Sequence, residues 1–464
     1  MIYESVAQLK KGVDGILKVA GDNVQVLDEK KLRDALIDDL VYAAVFSPDY
    51  ETIESARWLI RRAAAALGIV STSIQPLYEA MGRKEVSGFT VPAINIRGIT
   101  YHTAQAIFRA AMKGRVGAVL FEIARSEMDY TFQRPGEYTC VCTAAAVKSG
   151  YRGPLFMQGD HFQVSAKRYA KDPAAEVQGV KDLIWEAIEA GFYNIDIDTS
   201  TLVDLAKPTV KEQQRTNYTL AAELTTMIRD LEPAGVTISV GGEIGEVGGK
   251  NSTVEELRAY MDGYLEELKK SGPSLKGISK ISVQTGTTHG GVPLSDGTVA
   301  KVNLDFDVLE KMSALSRTEY GLAGAVQHGA STLPDEAFDK FPAIGTAEIH
   351  LATGFQNIIY DSKSFPAAFR EEVYSYLKTD LAAERKASDT DEQFIYKTRK
   401  KGFGRFKQEF WQLPVETLAA LGAELEKQLS FLFGKLNATN TEDTVRKLVK
   451  PVDVPLKVPA ALRA

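Results

Sequence analysis

Between about residue 90 and residue 352, two textures alternate along the chain. Short apolar, β-branched runs are followed by longer stretches whose apolar positions recur at helical spacing. The runs are Val91–Arg97, Gly117–Ile123, Pro154–Gly159, Tyr193–Asp198, Val236–Val240, Ile278–Thr285, Leu322–Gln327 and Ala343–Leu351. The helical stretches include Ala174–Ala190, Glu212–Leu231, Thr253–Lys270 and Asp305–Leu315. Ser252-Thr-Val-Glu255 reads as a capping box opening the third of these, with Val254, Leu257, Met261 and Leu265 along one helical face. Eight strand–helix units in series predict a closed parallel (β/α)8 TIM barrel, with an open doubly wound sheet as the alternative.

The flanks read differently. Residues 1–72 form an N-terminal helical extension, with helical spacing over Leu32–Leu40 and Ile53–Leu67 and a break at Ser47-Pro48. The barrel is assigned to residues 73–362. Residues 363–464 form a C-terminal helical region that includes Phe365–Leu381 and Leu413–Leu436. A formal charge of −6 over 464 residues argues against a nucleic-acid partner. No apolar run is long enough to span a bilayer, and the first residues lack the pattern of a signal peptide. Cys140 and Cys142, one residue apart, read as two reduced, buried thiols on a helix. A cytoplasmic location is the expectation.

The chain has five histidines, and three of them end predicted strands next to glycine: Gly-Asp160-His161, Thr-Thr-His289-Gly-Gly and Gln-His328-Gly-Ala-Ser331. Glu243, in Val-Gly-Gly-Glu-Ile-Gly, ends another. In a parallel barrel chemistry sits at the carboxyl ends of the strands, so these four side chains converge on one rim. Neutral imidazoles with a carboxylate are the usual donors of a catalytic zinc site, and His161, Glu243, His289 and His328 are the expected metal ligands. Asp160 alternates with His161 along an extended strand, so only a turn at the strand end brings its carboxylate to the same place. A carboxylate there is a candidate general acid/base. His350, on the eighth strand, reaches either the site or the barrel core. His102 opens the first helix, where it reads as a cap.

Two small-residue loops, Gly290-Gly291 and Gly329-Ala-Ser331-Thr332, offer backbone N–H and hydroxyl donors to an anion. Gly241-Gly242-x-x-Gly245-x-x-Gly248-Gly249 imitates a dinucleotide fingerprint, but it interrupts the barrel pattern and lacks the acidic residue expected downstream. A basic cluster at Lys397, Arg399, Lys400, Lys401, Arg405 and Lys407, interleaved with Phe403 and Phe406, reads as a solvated surface or as a phosphate-facing patch.

Taken in order, these segments resemble the class II, metal-dependent fructose-bisphosphate aldolases and their tagatose-bisphosphate relatives. The resemblance runs from Ser73 to Tyr360. It is carried by Phe89-Thr-Val-Pro-Ala-Ile-Asn95, Gln158-Gly-Asp160-His161, Gly242-Glu243-Ile-Gly-Glu-Val-Gly-Gly249, Thr285-Gly-Thr-Thr-His289-Gly and His328-Gly-Ala-Ser331. It implies a zinc or other divalent ion on His161, Glu243, His289 and His328 that polarises the carbonyl of dihydroxyacetone phosphate. Asp160 then moves the proton of the hydroxyl at the carbon where the C3–C4 bond is made or broken. Gly290, Gly329 and Ser331 hold a phosphate, a monovalent cation assists, and Asn95, Thr353 and Arg399 are further substrate contacts. The partner is a small sugar phosphate, and a homodimer or homotetramer is the usual assembly.

The chain departs from the family pattern in three places. The loop after Gly249 reads Lys250-Asn251-Ser252 where an acidic residue is usual, Val292-Pro293 replaces Tyr-Lys, and His350 replaces an asparagine. The leading expectation is a zinc-dependent aldolase acting on a ketose phosphate, with Asp160 and His350 as its acid/base groups. A metal-dependent ketose or ketose-phosphate epimerase on the same scaffold, and a non-catalytic aldolase-like subunit, are the alternatives.

Overall fold

A computed structural model of the chain describes residues 3–245, 250–286, 294 and 304–463. The N-terminal extension is helical, as its periodicity predicts, but after a first helix over Val6–Val13 it contains an antiparallel hairpin, β1 (Leu17–Ala20) and β2 (Asn23–Val26). Leu17, Val19, Val24 and Val26 alternate around Gly21-Asp22, a period of two too short to stand out beside the helical runs. The break at Ser47-Pro48 separates two helices. The second, α1 (Tyr50–Ala66), is capped by Asp49, whose carboxylate accepts from the Thr52 N–H at 3.0 Å. A short strand, β3 (Ile69–Ser71), follows.

Eight further strands close into a barrel: β4 (Val91–Asn95), β5 (Leu120–Ala124), β6 (Gly153–Gln163), β7 (Asn194–Asp198), β8 (Ser239–Glu243), β9 (Lys280–Ser282), β10 (Ala325–Gln327) and β11 (Glu348–Leu351). Each pairs in parallel with the next, and β11 pairs with β4 to complete the ring. The (β/α)8 expectation therefore holds. β3 adds a parallel strand outside the ring, along the first residues of β6. β6 is longer than its apolar run predicts, so Asp160 and His161 lie within it. β8 starts later than predicted, so Glu243 is its last residue.

The helices that wrap the ring are α2 (Thr100–Gly114), α3 (Arg125–Thr131), α4 (Pro135–Ser149), α5 (Pro173–Glu189), α6 (Val210–Leu231), α7 (Val254–Ser271), α8 (Phe306–Tyr320) and α9 (Thr353–Asp361). The cap of α7 lies one residue beyond the expected one: Thr253 and Glu256 form the capping box. Ser252 instead ties to the loop after β9, where its hydroxyl accepts from the Gln284 N–H at 2.9 Å. The buried face of α7 centres on Leu257, Tyr260, Met261 and Tyr264, leaving Leu265 exposed. Cys140 and Cys142 are free and buried on α4, and burial pushes the Cys140 thiol up to about 12. Among the described residues, no helix is long and apolar enough to cross a membrane.

The C-terminal region packs back on the barrel through α10 (Ala367–Asp380), a run of short turns over residues 391–411, and α11 (Val415–Lys435), which lies against α2. Backbone meets backbone at Gly404. A Cβ there would sit 2.2 Å from the Tyr130 carbonyl oxygen of α3. Backbone cannot give way as a flexible side chain does, so Gly404→Ala should destabilise the protein by about 1–3 kcal/mol. Urea unfolding monitored by circular dichroism measures this, and unchanged stability would mean that this junction is loose.

Candidate active site

The carboxyl ends of the strands surround a cavity of ≈ 310 Å³, and Asn95, Asp160, His161, His328, Gly329, Ser331, His350 and Thr353 all line it. The sequence names these eight residues from four different strand ends, and one pocket collects them. Glu243 lies just outside the lining, against His161. His289 and Gly290 fall outside the described residues. Arg399 is buried behind the wall, bonded to Asp361 at 2.6 Å and to Asn357 at 2.7 Å, while its neighbour Lys400 lines the cavity.

The puzzle of Asp160 and His161 has a local answer. The pairing of β6 with β7 shifts register between Gly159 and Phe162, and His161 adopts φ +40. A bulge with a left-handed, non-glycine residue re-aims consecutive side chains. Asp160 Oδ1 consequently lies 3.7 Å from His161 Nε2, where an ideal strand would put the two residues on opposite faces.

His161 is the hub of the proposed metal centre. Its Nδ1 lies 3.1 Å from Asp198 Oδ2 and 3.0 Å from Glu243 Oε2, and its Nε2 faces His328 Nδ1 at 3.0 Å. His328 Nε2 is held by the Ser282 hydroxyl at 2.8 Å. Burial opposes a charged ring at His161, yet the Asp160 and Glu243 carboxylates hold its pKa well above the usual histidine range. Burial, with Asp198 close by, pushes Glu243 up to about 6. The donors fall into two groups that share His161, Asp160 and His328 on its Nε2 side and Asp198 and Glu243 on its Nδ1 side, each mixing imidazole and carboxylate atoms of the kind a divalent cation takes. The described residues thus supply donors of the type the expected metal takes, with Asp198 and Ser282 hydrogen-bonded to the two rings as partners that orient them.

Asp160 is gripped from both sides. Asn95 Nδ2 donates to its Oδ2 at 2.8 Å, and His350 Nδ1 lies 3.1 Å from its Oδ1. Burial would raise its pKa, but His161 and His350 hold it well below the usual carboxylate range. Asn95 also donates to Glu127 Oε2 at 2.8 Å, and Glu127 Oε1 accepts from Arg97 Nε at 2.6 Å. Arg97 reaches on to Thr353 Oγ1 at 3.1 Å, so one network joins the first strand end to the start of α9. Ser331 Oγ accepts from the Ala352 N–H at 2.6 Å, which fastens the loop after β10 to the end of β11.

Below this rim the barrel interior is ionic. Lys280 Nζ, fully buried, bonds to Glu348, to Asp196 at 2.9 Å and to Gln158 Oε1 at 2.9 Å. Gln158 Nε2 donates to Glu122 and Glu348, both at 2.8 Å, and Tyr78 donates to Glu348. Glu348 Oε1 in turn lies 2.6 Å from His350 Nε2. Lys280 reaches Asp196 past Gly241 of the intervening strand, where a Cβ would sit 2.3 Å from Asp196 Oδ1. The glycine pair at 241–242 therefore serves packing between strands. None of Glu122, Asp196, Lys280 or Glu348 is singled out by the strand runs. The available signal is Glu348-Ile-His350 and Asp196-Ile-Asp198, charge repeating with a period of two inside strands that parallel barrels usually fill with apolar residues.

Comparison with known proteins gives a family and a fold. Residues 76–403 match the family model "Fructose-bisphosphate aldolase class-II". No curated protein matches the chain. Among solved structures, a probable tagatose 6 phosphate kinase from Sinorhizobium meliloti 1021 is similar at TM-score 0.51 and 19% identity, over 80% of this chain and 96% of that one. A fructose-bisphosphate aldolase from Campylobacter jejuni is similar at TM-score 0.47 and 15% identity, over 81% and 97%. At such identities the first likeness speaks to fold alone.

Replacing Lys280 by methionine should destabilise the protein by about 3–5 kcal/mol, because buried carboxylates lose their counter-charge. Burial, partly offset by Lys280, puts Asp196 at about 6, above its ordinary value of 3.8. A carboxyl with a raised folded pKa favours folding while protonated and loses that contribution as pH rises through about 6. The Lys280→Met penalty should thus be smaller at pH 5 than at pH 8. Urea titrations of both proteins at the two pH values test this, and a pH-independent difference would refute it.

Proposed function

The chain belongs to the class II fructose-bisphosphate aldolase family, and within it we propose a divalent-metal-dependent aldolase, most simply a zinc enzyme, that reversibly cleaves a ketose bisphosphate such as fructose 1,6-bisphosphate. The observation that carries this reading is the placement of Asp160 between the imidazole cluster and the Asn95–His350 grip, inside a cavity of sugar-phosphate size. His161, His328 and Glu243 would hold the ion, with His289 as the remaining ligand expected from the sequence. The bound ion supplies Lewis-acid polarisation of the ketose carbonyl.

The chain's own groups do the rest. Asp160, ionised through its histidine neighbours, takes the proton from the C4 hydroxyl as the C3–C4 bond breaks. Asn95 and His350 fix the direction in which its carboxylate points, and His350 stabilises the negative form until the proton arrives. Ser331 and Gly329 sit where backbone and hydroxyl donors can receive a phosphate oxygen. Gly329 has φ +67, a left-handed conformation that glycine adopts without strain and that turns the chain into the loop.

A second reading has its own support. His350 lies beside Asp160, and the loop Lys250-Asn251-Ser252 contains no acid; Asn251 is bonded to Asp305 at 2.9 Å. Two acid/base groups on one substrate face could let the C–C bond re-form on the other face of the aldehyde before release, giving a C4 epimer. Product analysis separates the two readings.

Metal-loaded protein should release triose phosphates from fructose 1,6-bisphosphate, lose this activity to a chelator and regain it when the metal is restored. Asp160→Asn should keep the metal and lower kcat by about 10²–10⁴-fold. Coupled spectrophotometric assay and metal analysis give both numbers. A C4 epimer without triose phosphate favours the epimerase, and full metal occupancy without either product removes both readings.

A further inference from the structure

The basic cluster that closes the barrel sequence does not act as one patch. Lys397 pairs with Asp389, Arg399 with Asp361, Lys401 with Glu384 and Lys407 with Glu137. Arg405 is exposed and lies over the rings of Tyr376 and Phe406. Lys400 differs from all of these. Among the described residues it makes no hydrogen bond or ion pair, and its Nζ rests 5.3 Å from the centre of the Tyr130 ring in the wall of the active-site cavity.

The other cations of that wall already have carboxylate partners. Arg97 is engaged with Glu127, and Arg125 and Arg168 share Glu176. Lys400 therefore lines the cavity with Glu127 and Glu384 near enough to act on it but with no carboxylate in ion-pair contact among the described residues, on a segment that cannot easily move. Gly404, four residues on, is pressed against the Tyr130 backbone, and Phe403 fills the space beside Gly98, where a Cβ would be 2.0 Å from the ring. Burial and the nearby Arg97 guanidinium both lower the pKa of the Lys400 ammonium. An anion arriving in the cavity relieves both effects.

We propose that Lys400, contributed by the C-terminal region, is a phosphate-binding residue of the active site: its ammonium takes a phosphate monoester of the substrate. The substrate class rests on the aldolase reading; the anion subsite does not.

The test uses the metal-loaded full chain. Inorganic phosphate is titrated calorimetrically into wild type, Lys400→Met, Lys400→Arg and, as a control outside the cavity, Lys401→Met. A charge-assisted hydrogen bond predicts that Lys400→Met weakens phosphate about 10- to 100-fold. Lys400→Arg should recover most of this, and Lys401→Met should leave it unchanged. Equal affinity in wild type and Lys400→Met, or no phosphate binding by wild type, overturns the proposal.

In turnover, Lys400→Met should raise KM with kcat little changed. A rise for fructose 1,6-bisphosphate but not fructose 1-phosphate assigns Lys400 to the C6 phosphate, and a rise for both assigns it to the C1 phosphate. A fall in kcat at constant KM counts against a binding role. Lys400-dependent phosphate binding in a protein that cleaves neither sugar would leave the subsite standing and remove the aldolase reading.

Discussion

The structure hangs on a lysine buried in the middle of the barrel. Taking a carboxylate out of water costs several kcal/mol unless a counter-charge and hydrogen bonds replace the solvent. Here Glu122, Asp196 and Glu348 point inward from three strands, and Lys280 is the cation that Asp196 and Glu348 share. Burial opposes the ionised form of Glu348, yet Lys280 and His350 bring its pKa down to about 2. Glu348 then stays charged, and its position sets the ring of His350. His350 sets Asp160, which lies one tier higher and faces the cavity. Asp160 at the rim is thus aimed from below, through Lys280 and Glu348, neither of which lines the cavity, and through His350, which does.

That chain of positioning also explains an exception to strand geometry. Asp160 and His161 are consecutive, yet the proposed function asks one to move a proton and the other to hold an ion at nearly the same point. Only a break in the β6 ladder permits this, and the left-handed conformation of His161 is the strain that accompanies it. The strain is held because both side chains are anchored, Asp160 by Asn95 and His350, His161 by Asp198 and Glu243. An isolated hairpin could not sustain it; a closed barrel, with β6 fixed between β5 and β7, can.

Much of this was legible in the sequence, and the limits are physical. The eight units were readable because a parallel barrel repeats one amphipathic theme, and the site residues because polar groups at strand ends break an apolar run. Asp160, His161 and His328 follow from that rule alone, whereas it leaves His350 open between the site and the core, and Ser331 comes from its small-residue loop. The interior charges did not, because a Glu or Lys within a short strand reads as an ordinary exposed position until closure of the ring makes it face inward. The offset of the α7 cap has a similar cause. Ser252-x-x-Glu255 and Thr253-x-x-Glu256 both satisfy the pattern, and a contact from Ser252 to Gln284, remote in sequence, decides between them.

Arg399 and Lys400 show the same limit at the scale of one residue. The basic cluster reads as a solvated surface or as a phosphate-facing patch, but Arg399, Lys400 and Lys401 lie in a 3-10 turn, where each residue is rotated about 120° from the last. Adjacent residues therefore face different surroundings: Arg399 turns toward Asp361, and Lys400 toward the cavity. The consequence reaches the domain boundary. A division at residue 362 separates barrel helices from later ones, yet the later segment completes the cavity wall with Lys400 and is seated by Phe403 and Gly404 on the first and second βα units. The family match runs to residue 403, past that division. The cavity is thus walled by the barrel together with a turn of the C-terminal region, and α11 of the same region lies against α2.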